Sequence, residues 1–156
     1  MIERSVEHAT FVVERTYDAS PSRVFTAWAD PAAKARWFGN PDAGVEDYEL
    51  DFKVGGREFN RGTVEGQTYT FEARYQDIVP DERLVYAYEM HLGDKRISVS
   101  LGTVELEPEG DGTRLIFTEQ GAFLDGLDSP AQREGGTGQL LDALEKELAR
   151  EAVGDR

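Results

Sequence analysis

Residues 137–148 read TGQLLDALEKEL, and their spacing decides the fold. Thr137, Leu141, Leu144 and Leu148 recur at i, i+4, i+7 and i+11, which is one apolar stripe of a helix. Asp142, Glu145, Lys146 and Arg150 fall on the opposite face. Starting from Pro130, about 20 residues at ~1.5 Å each give a helix of about 30 Å. A strand of about nine residues at ~3.3 Å each has the same length. The helix is therefore long enough to lie across a whole sheet.

The preceding residues supply that sheet. From about residue 47 to residue 123 the apolar pattern has period two. Tyr48, Leu50, Phe52 and Val54 alternate with acids and Lys53, the mark of a half-buried strand. Gly55-Gly56 turns the chain into a strand over 57–64, and Gly66 turns it again. Strands follow over 68–79, with Tyr69, Phe71, Ala73 and Tyr75 on one face, and over 83–92, with Leu84, Tyr86, Tyr88 and Met90 on one face. Gly93-Asp94 leads into 96–107, where Ile97, Val99 and Leu101 are in register, and residues 108–112 turn into 113–120. Before these six strands, residues 8–17 form a seventh, with Phe11, Val13, Arg15 and Tyr17 on one side. Ser20-Pro21 starts a short helix to about Ala29, because a hydroxyl cap precedes a residue with no N–H to leave unpaired. Asp30-Pro31 starts a second, which ends near Trp37 and Phe38.

Composition bounds the rest. A chain of 156 residues fits one domain, spanning 1–156, with no repeat or linker to divide it. With no Cys, disulfides and thiol chemistry are excluded. Thirty-one acids against 17 bases give −14 at pH 7, so nucleic acid and anionic membranes are not expected as partners. No apolar run approaches the ~20 residues of a membrane span, and the first residues lack a secretion signal's pattern. A soluble cytoplasmic α+β protein is expected.

Five collinear segments resemble one family: RTYDASPSRVFTAWADPAAKARWFG (15–39), VGGRE (54–58), IVPDERLVYAYE (78–89), DGTRLIFTEQG (111–121) and REGGTGQLLDALEKEL (133–148). Their order, β-α-α-β6-α, resembles the helix-grip fold of the START-like (SRPBCC, Bet v-like) superfamily. Within it the chain is similar to bacterial homologues of the activator of the 90-kDa heat-shock-protein ATPase. The resemblance implies a curved antiparallel sheet gripping the last helix, with a cavity between them that binds small apolar or aromatic molecules. It does not imply chaperone activation, for which the eukaryotic activator uses a separate N-terminal domain. Many relatives carry Trp where this chain has Thr137, so a relative's ligand does not transfer.

The expected cavity lining is Trp37, Phe38, Phe52, Phe59, Phe71, Tyr86, Tyr88, Met90, Phe117, Thr137 and Leu141, with Arg15 as a polar anchor. These residues equally suit a plain core. The tyrosines favour a pocket, because a buried phenol needs a hydrogen-bond partner. Arg15 would pair with a carboxylate, Glu119 or Glu72, or hold an acidic ligand. Gly135, Gly136 and Gly138 each cost roughly 1 kcal/mol in a helix. They imply either close approach to the sheet, so that Gly136→Leu would damage packing, or a loose gate over the cavity. His91 falls opposite Met90 unless a bulge intervenes, and two His residues do not make a metal site. Neither a catalytic set nor a cofactor or metal site is expected.

The leading function is binding of a small apolar or aromatic ligand. The alternative is a cyclase- or dehydratase-like enzyme in the same cavity, which needs an acid–base pair within reach of the ligand. A third reading is a stress-response or partner-binding domain with a filled cavity, for which a homodimer is one form.

Overall fold

The computed structural model describes residues 3–39 and 44–154. The elements run β1 (Val6–Tyr17), α1 (Pro21–Ala29), α2 (Pro31–Trp37), β2 (Gly44–Leu50), β3 (Arg57–Val64), β4 (Gln67–Val79), β5 (Arg83–Leu92), β6 (Lys95–Glu109), β7 (Gly112–Leu124) and α3 (Pro130–Gly154). All seven strands form one curved antiparallel sheet in the order β1-β7-β6-β5-β4-β3-β2. The α+β helix-grip fold expected from the sequence is the one observed.

Local chemistry sets the helix boundaries. The Ser20 side chain accepts from the Arg23 N–H, with Pro21 opening α1. Asp30 serves both short helices: its N–H closes α1 on the Thr26 carbonyl, and its carboxylate caps α2 by accepting from the Ala33 N–H at 3.0 Å. Register shifts in β4 between Tyr75 and Asp77 and in β5 between Met90 and His91 are bulges, which bend strands and add twist.

The concave face carries Phe11, Val13 and Tyr17 of β1, Phe71, Ala73 and Tyr75 of β4, and Leu84, Tyr86 and Tyr88 of β5. Val104 and Leu106 of β6 and Leu115 and Phe117 of β7 continue it, and all are buried. Thr137, Leu141, Leu144 and Leu148 of α3 are buried, as the helical stripe requires. The Tyr17 hydroxyl donates to the Leu141 carbonyl at 2.7 Å, tying β1 to the middle of α3.

Three sequence expectations change here. β2 stops at Leu50, so Phe52 and Val54 leave the strand, and Val54 is 61 % exposed. The 51–56 turn is tighter than a plain hairpin: a Cβ on Gly56 would meet the Asp51 carbonyl oxygen at 2.0 Å. On β6, Val99 lies outward, and the inward positions are Ser98, Ser100 and Gly102. They are small or polar because Tyr86 and Glu119 occupy the space above them.

Candidate functional site

The end of α2 and the inward faces of β4 and β5 bring aromatic rings into one cluster. Phe38 meets Phe71 edge-on at 5.0 Å, Phe71 meets Tyr88 at 4.9 Å, and Tyr86 lies 5.7 Å from Tyr88. Trp37 packs edge-on against Phe38, and its indole N–H donates to the Ala27 carbonyl at 3.0 Å. Such pairs are worth about 0.5–1.5 kcal/mol each beyond the area they bury. Phe52 closes one end of the cluster, 5.0 Å from Tyr75 and 5.6 Å from Phe25.

Two buried carboxylates flank the rings. Glu119 of β7 is 0 % exposed and accepts from the Tyr88 hydroxyl at 2.6 Å, the Ser100 hydroxyl at 2.9 Å and the Arg133 guanidinium at 3.2 Å. Arg133, from the first turns of α3, also donates to Tyr88 Oη, Ser98 Oγ and Asp128 Oδ2. Burial works against the guanidinium charge, but Tyr88, Glu119 and Asp128 outweigh it and hold Arg133 protonated above its ordinary range. Glu58 of β3 accepts from the Lys34 ammonium and from the hydroxyls of Tyr48 and Tyr75. Burial lowers the Lys34 pKa despite the opposing pull of Glu58.

Tyr86 is the exception to this pairing. Its side chain is 3 % exposed and its ring rests against Gly102, where a Cβ would come within 2.9 Å. No hydrogen bond shifts the titration of its hydroxyl, whereas the Trp28 indole Nε1 is a fully buried polar atom without a partner among the described residues. Burial, followed by the charges of Tyr88 and Glu119, raises its pKa well above the phenol range. The hydroxyl stays a neutral donor beside the Arg133–Glu119 network.

The expected lining residues divide in space. Trp37, Phe38, Phe71, Tyr86, Tyr88, Phe117, Thr137 and Leu141 are buried in the helix–sheet interior, with Phe52 and Met90 half-buried at its margin. Phe59 is elsewhere. It lies on the outer face, with the Arg57 guanidinium 4.4 Å over its ring, because Glu58 and Asn60 take the inward positions of β3. Arg15 keeps the inward side of β1 but sits at its border. It binds Asp142 of α3 at 2.8 Å and lies against the Gly138 carbonyl, not against Glu119 or Glu72. His91 is bonded to Glu89 on the outer face at 2.7 Å; the bulge beside Met90 does not turn it inward.

Sequence reasoning missed Lys34, Glu58 and Arg133, each of which reads as a surface charge without knowledge of its partner. Two surface depressions, of about 510 and 670 Å³, lie along β1, and of the expected lining residues only Arg15 borders them. Among the described residues no group of three or more His, Asp or Glu is placed to hold a metal, and no helix is long and apolar enough to cross a membrane.

Comparison with solved structures places this geometry among known relatives. A protein of Rhizobium leguminosarum is 48 % identical, with a TM-score of 0.90 over 95 % of this chain and 99 % of its own. The Mll3558 protein of Rhizobium loti is 51 % identical, with a TM-score of 0.85 over 92 % of this chain and 99 % of its own. Protein CV1439 of Chromobacterium violaceum is 27 % identical, with a TM-score of 0.77 over 89 % of this chain and 96 % of its own. No curated protein matches the chain. Residues 18–149 match the family described as Activator of Hsp90 ATPase homolog 1-like protein. That span takes in both short helices, β2 to β7 and most of α3, and the chain belongs to this family.

Proposed function

We propose that the chain binds a small, largely apolar ligand, with an aromatic ring and a hydrogen-bonding group, between β4–β7 and the first half of α3. Family membership supports a ligand-binding domain in general. The observation that carries the finer reading is Tyr86. A ligand acceptor at this hydroxyl would gain a hydrogen bond worth about 0.5–1.5 kcal/mol. The surrounding rings of Phe71 and Tyr88 offer stacking surface, and Arg133 offers a cation to an acidic group on the ligand.

Entry would displace the start of α3. That segment is held by Arg133 and Arg15, and a Cβ at Gly135 or Gly136 would meet nothing within 4 Å. The enzyme alternative has one candidate acid–base pair, Tyr88 and Glu119, 2.6 Å apart. Glu119 already accepts from three donors, which favours binding over proton transfer.

Native mass spectrometry of the purified chain, followed by titration of the captured compound, tests the reading. Tyr86→Phe is expected to keep the melting temperature and weaken binding about tenfold, equivalent to roughly 1.4 kcal/mol. No adduct, together with no effect of aromatic carboxylates or phenols on the Trp28 and Trp37 fluorescence, would overturn it.

A further inference from the structure

We propose that β1 pairs antiparallel with the β1 of a second copy of the chain, about a two-fold axis at Ala9, so that one sheet runs through both. β1 is the first strand in the sheet order and, among the described residues, has a strand neighbour on one side only. The Ser5 carbonyl accepts from the Asp125 N–H on the β7 side. Main-chain direction alternates along an antiparallel strand, so Val6, His8, Thr10, Val12 and Glu14 turn their N–H and C=O groups away from β7. Of these, the Glu14 carbonyl accepts from the neighbouring Arg15 guanidinium at 2.8 Å.

Edge strands are ordinarily guarded by charge, proline, bulges or brevity. β1 has none of these over its middle. It is 12 residues long and keeps unbroken register with β7 from Val6–Leu124 to Tyr17–Thr113. It carries no Lys, Arg, Asp, Glu or Pro between Glu7 and Glu14. Its outer face presents Val6 and Val12, 56 % and 51 % exposed.

The side chains select one register. A two-fold at Ala9 sets Val6 against Val12 of the second copy, His8 against Thr10, and Arg4 against Glu14. On the other face, Glu3 meets Arg15. Shifting the axis to His8 sets Arg4 against Val12, and shifting it to Thr10 sets Val6 against Glu14. The Ala9 register joins the exposed valines and opposes unlike charges at both ends, where Arg4, Glu14 and Arg15 would share their pairs with Asp125, Arg114 and Asp142 of their own chain. The flank is open as well. A groove of about 670 Å³ beside β1 is bounded by Val12, Glu14 and Arg15 and by Gly135 and Gly138 of α3. The net charge of −14 opposes association; only the centre of the contact, residues 8–10, is uncharged, with Glu7 facing Phe11 on either side of it.

The test uses the full chain. Sedimentation velocity is expected to give a species of twice the chain mass at micromolar concentration. Ala9→Cys places the chain's single thiol on the axis, where facing Cα atoms lie about 4.5 Å apart, within reach of a disulfide. Mild oxidation should crosslink Ala9→Cys into a covalent dimer and leave Thr16→Cys monomeric on a non-reducing gel. Thr10→Pro removes an outward N–H without taking a bond from β7, and should give a monomer with an unchanged melting temperature. A monomeric parent chain, or a dimer in which Ala9→Cys fails to crosslink, would overturn the proposal. A dimer that survives in folded Thr10→Pro would overturn it too, and if that variant does not fold the crosslink alone decides.

Discussion

The Lys34 ammonium lies 3.0 and 3.1 Å from the two carboxylate oxygens of Glu58, and both side chains are 1 % exposed. The pair bolts α2 to β3. Its remaining valences are met by Tyr48 and Tyr75 on the carboxylate and by the Phe38 ring, 4.0 Å from the ammonium. Removing one member of such a pair strands the other, at a cost of about 3–5 kcal/mol. Lys34→Met and Glu58→Leu should each lower stability to urea by that amount. The double variant should cost less than either single one, because it leaves no orphaned charge. A single-variant loss under about 1 kcal/mol would mean that water reaches the pair.

The buried phenols give the protein an alkaline limit. Burial is the largest cause raising Tyr17, Tyr48, Tyr75, Tyr86 and Tyr88 above the ordinary phenol value of about 10. Unfolded phenols ionise first, so the stability these groups contribute is complete below about pH 10 and is lost as pH rises beyond it. Lys34 acts in the opposite sense only below its ordinary value of about 10.4, where the unfolded chain holds the extra proton. The melting temperature should therefore fall above about pH 10.5, with phenolate absorbance and loss of the folded circular-dichroism signal appearing together. Phenolate absorbance from all five tyrosines while that signal persists would contradict the burial argument.

How far the sequence could be read depended on whether hydrophobicity tracked direction. Leu141, Leu144 and Leu148 announced the buried stripe of α3, and the turns at Gly55, Gly93 and Gly112 marked the hairpins, so element order was legible. On β3 the same logic put Phe59 inside. The inward residue is Glu58, which is tolerated there because Lys34, 24 positions earlier, neutralises it. On β6 the apolar alternation belongs to the outer face, since Ser98 and Ser100 are needed inside by Arg133 and Glu119. Period-two patterns identify a strand, but the sign of its face depends on partners distant in sequence.

Arg133 shows how the start of α3 is held. Its bonds to Ser98, Tyr88, Glu119 and Asp128 anchor this end of the helix by polar contacts, whereas the later turns are anchored by leucines. Arg133→Met should leave Glu119 without its countercharge and cost about 3 kcal/mol. Amide hydrogen exchange should then accelerate over residues 131–139 and stay slow over 141–148. Uniform acceleration along the whole helix would show that α3 unfolds as one unit.

Gly135 and Gly136 of α3 do not serve close packing, whereas a Cβ on Gly138 would come within 3.1 Å of the Arg15 guanidinium. A Cβ at Gly135 or Gly136 meets nothing within 4 Å, so a methyl there is free of the packing damage expected of Gly136→Leu. Gly136→Ala should stabilise the protein by about 0.5–1 kcal/mol through helix propensity alone. Gly102 is the contrasting case: a methyl there meets the Tyr86 ring at 2.9 Å, so Gly102→Ala should cost about 1–3 kcal/mol and tilt that ring. Because the Tyr86 hydroxyl is the proposed ligand contact, a tilted ring should also shift ligand affinity, while Gly136→Ala should leave it alone. Thermal melts and ligand titrations of the two variants therefore separate the glycine that shapes the site from one that merely loosens its cover. Equal effects of both substitutions on affinity would place the ligand against α3 instead of the sheet.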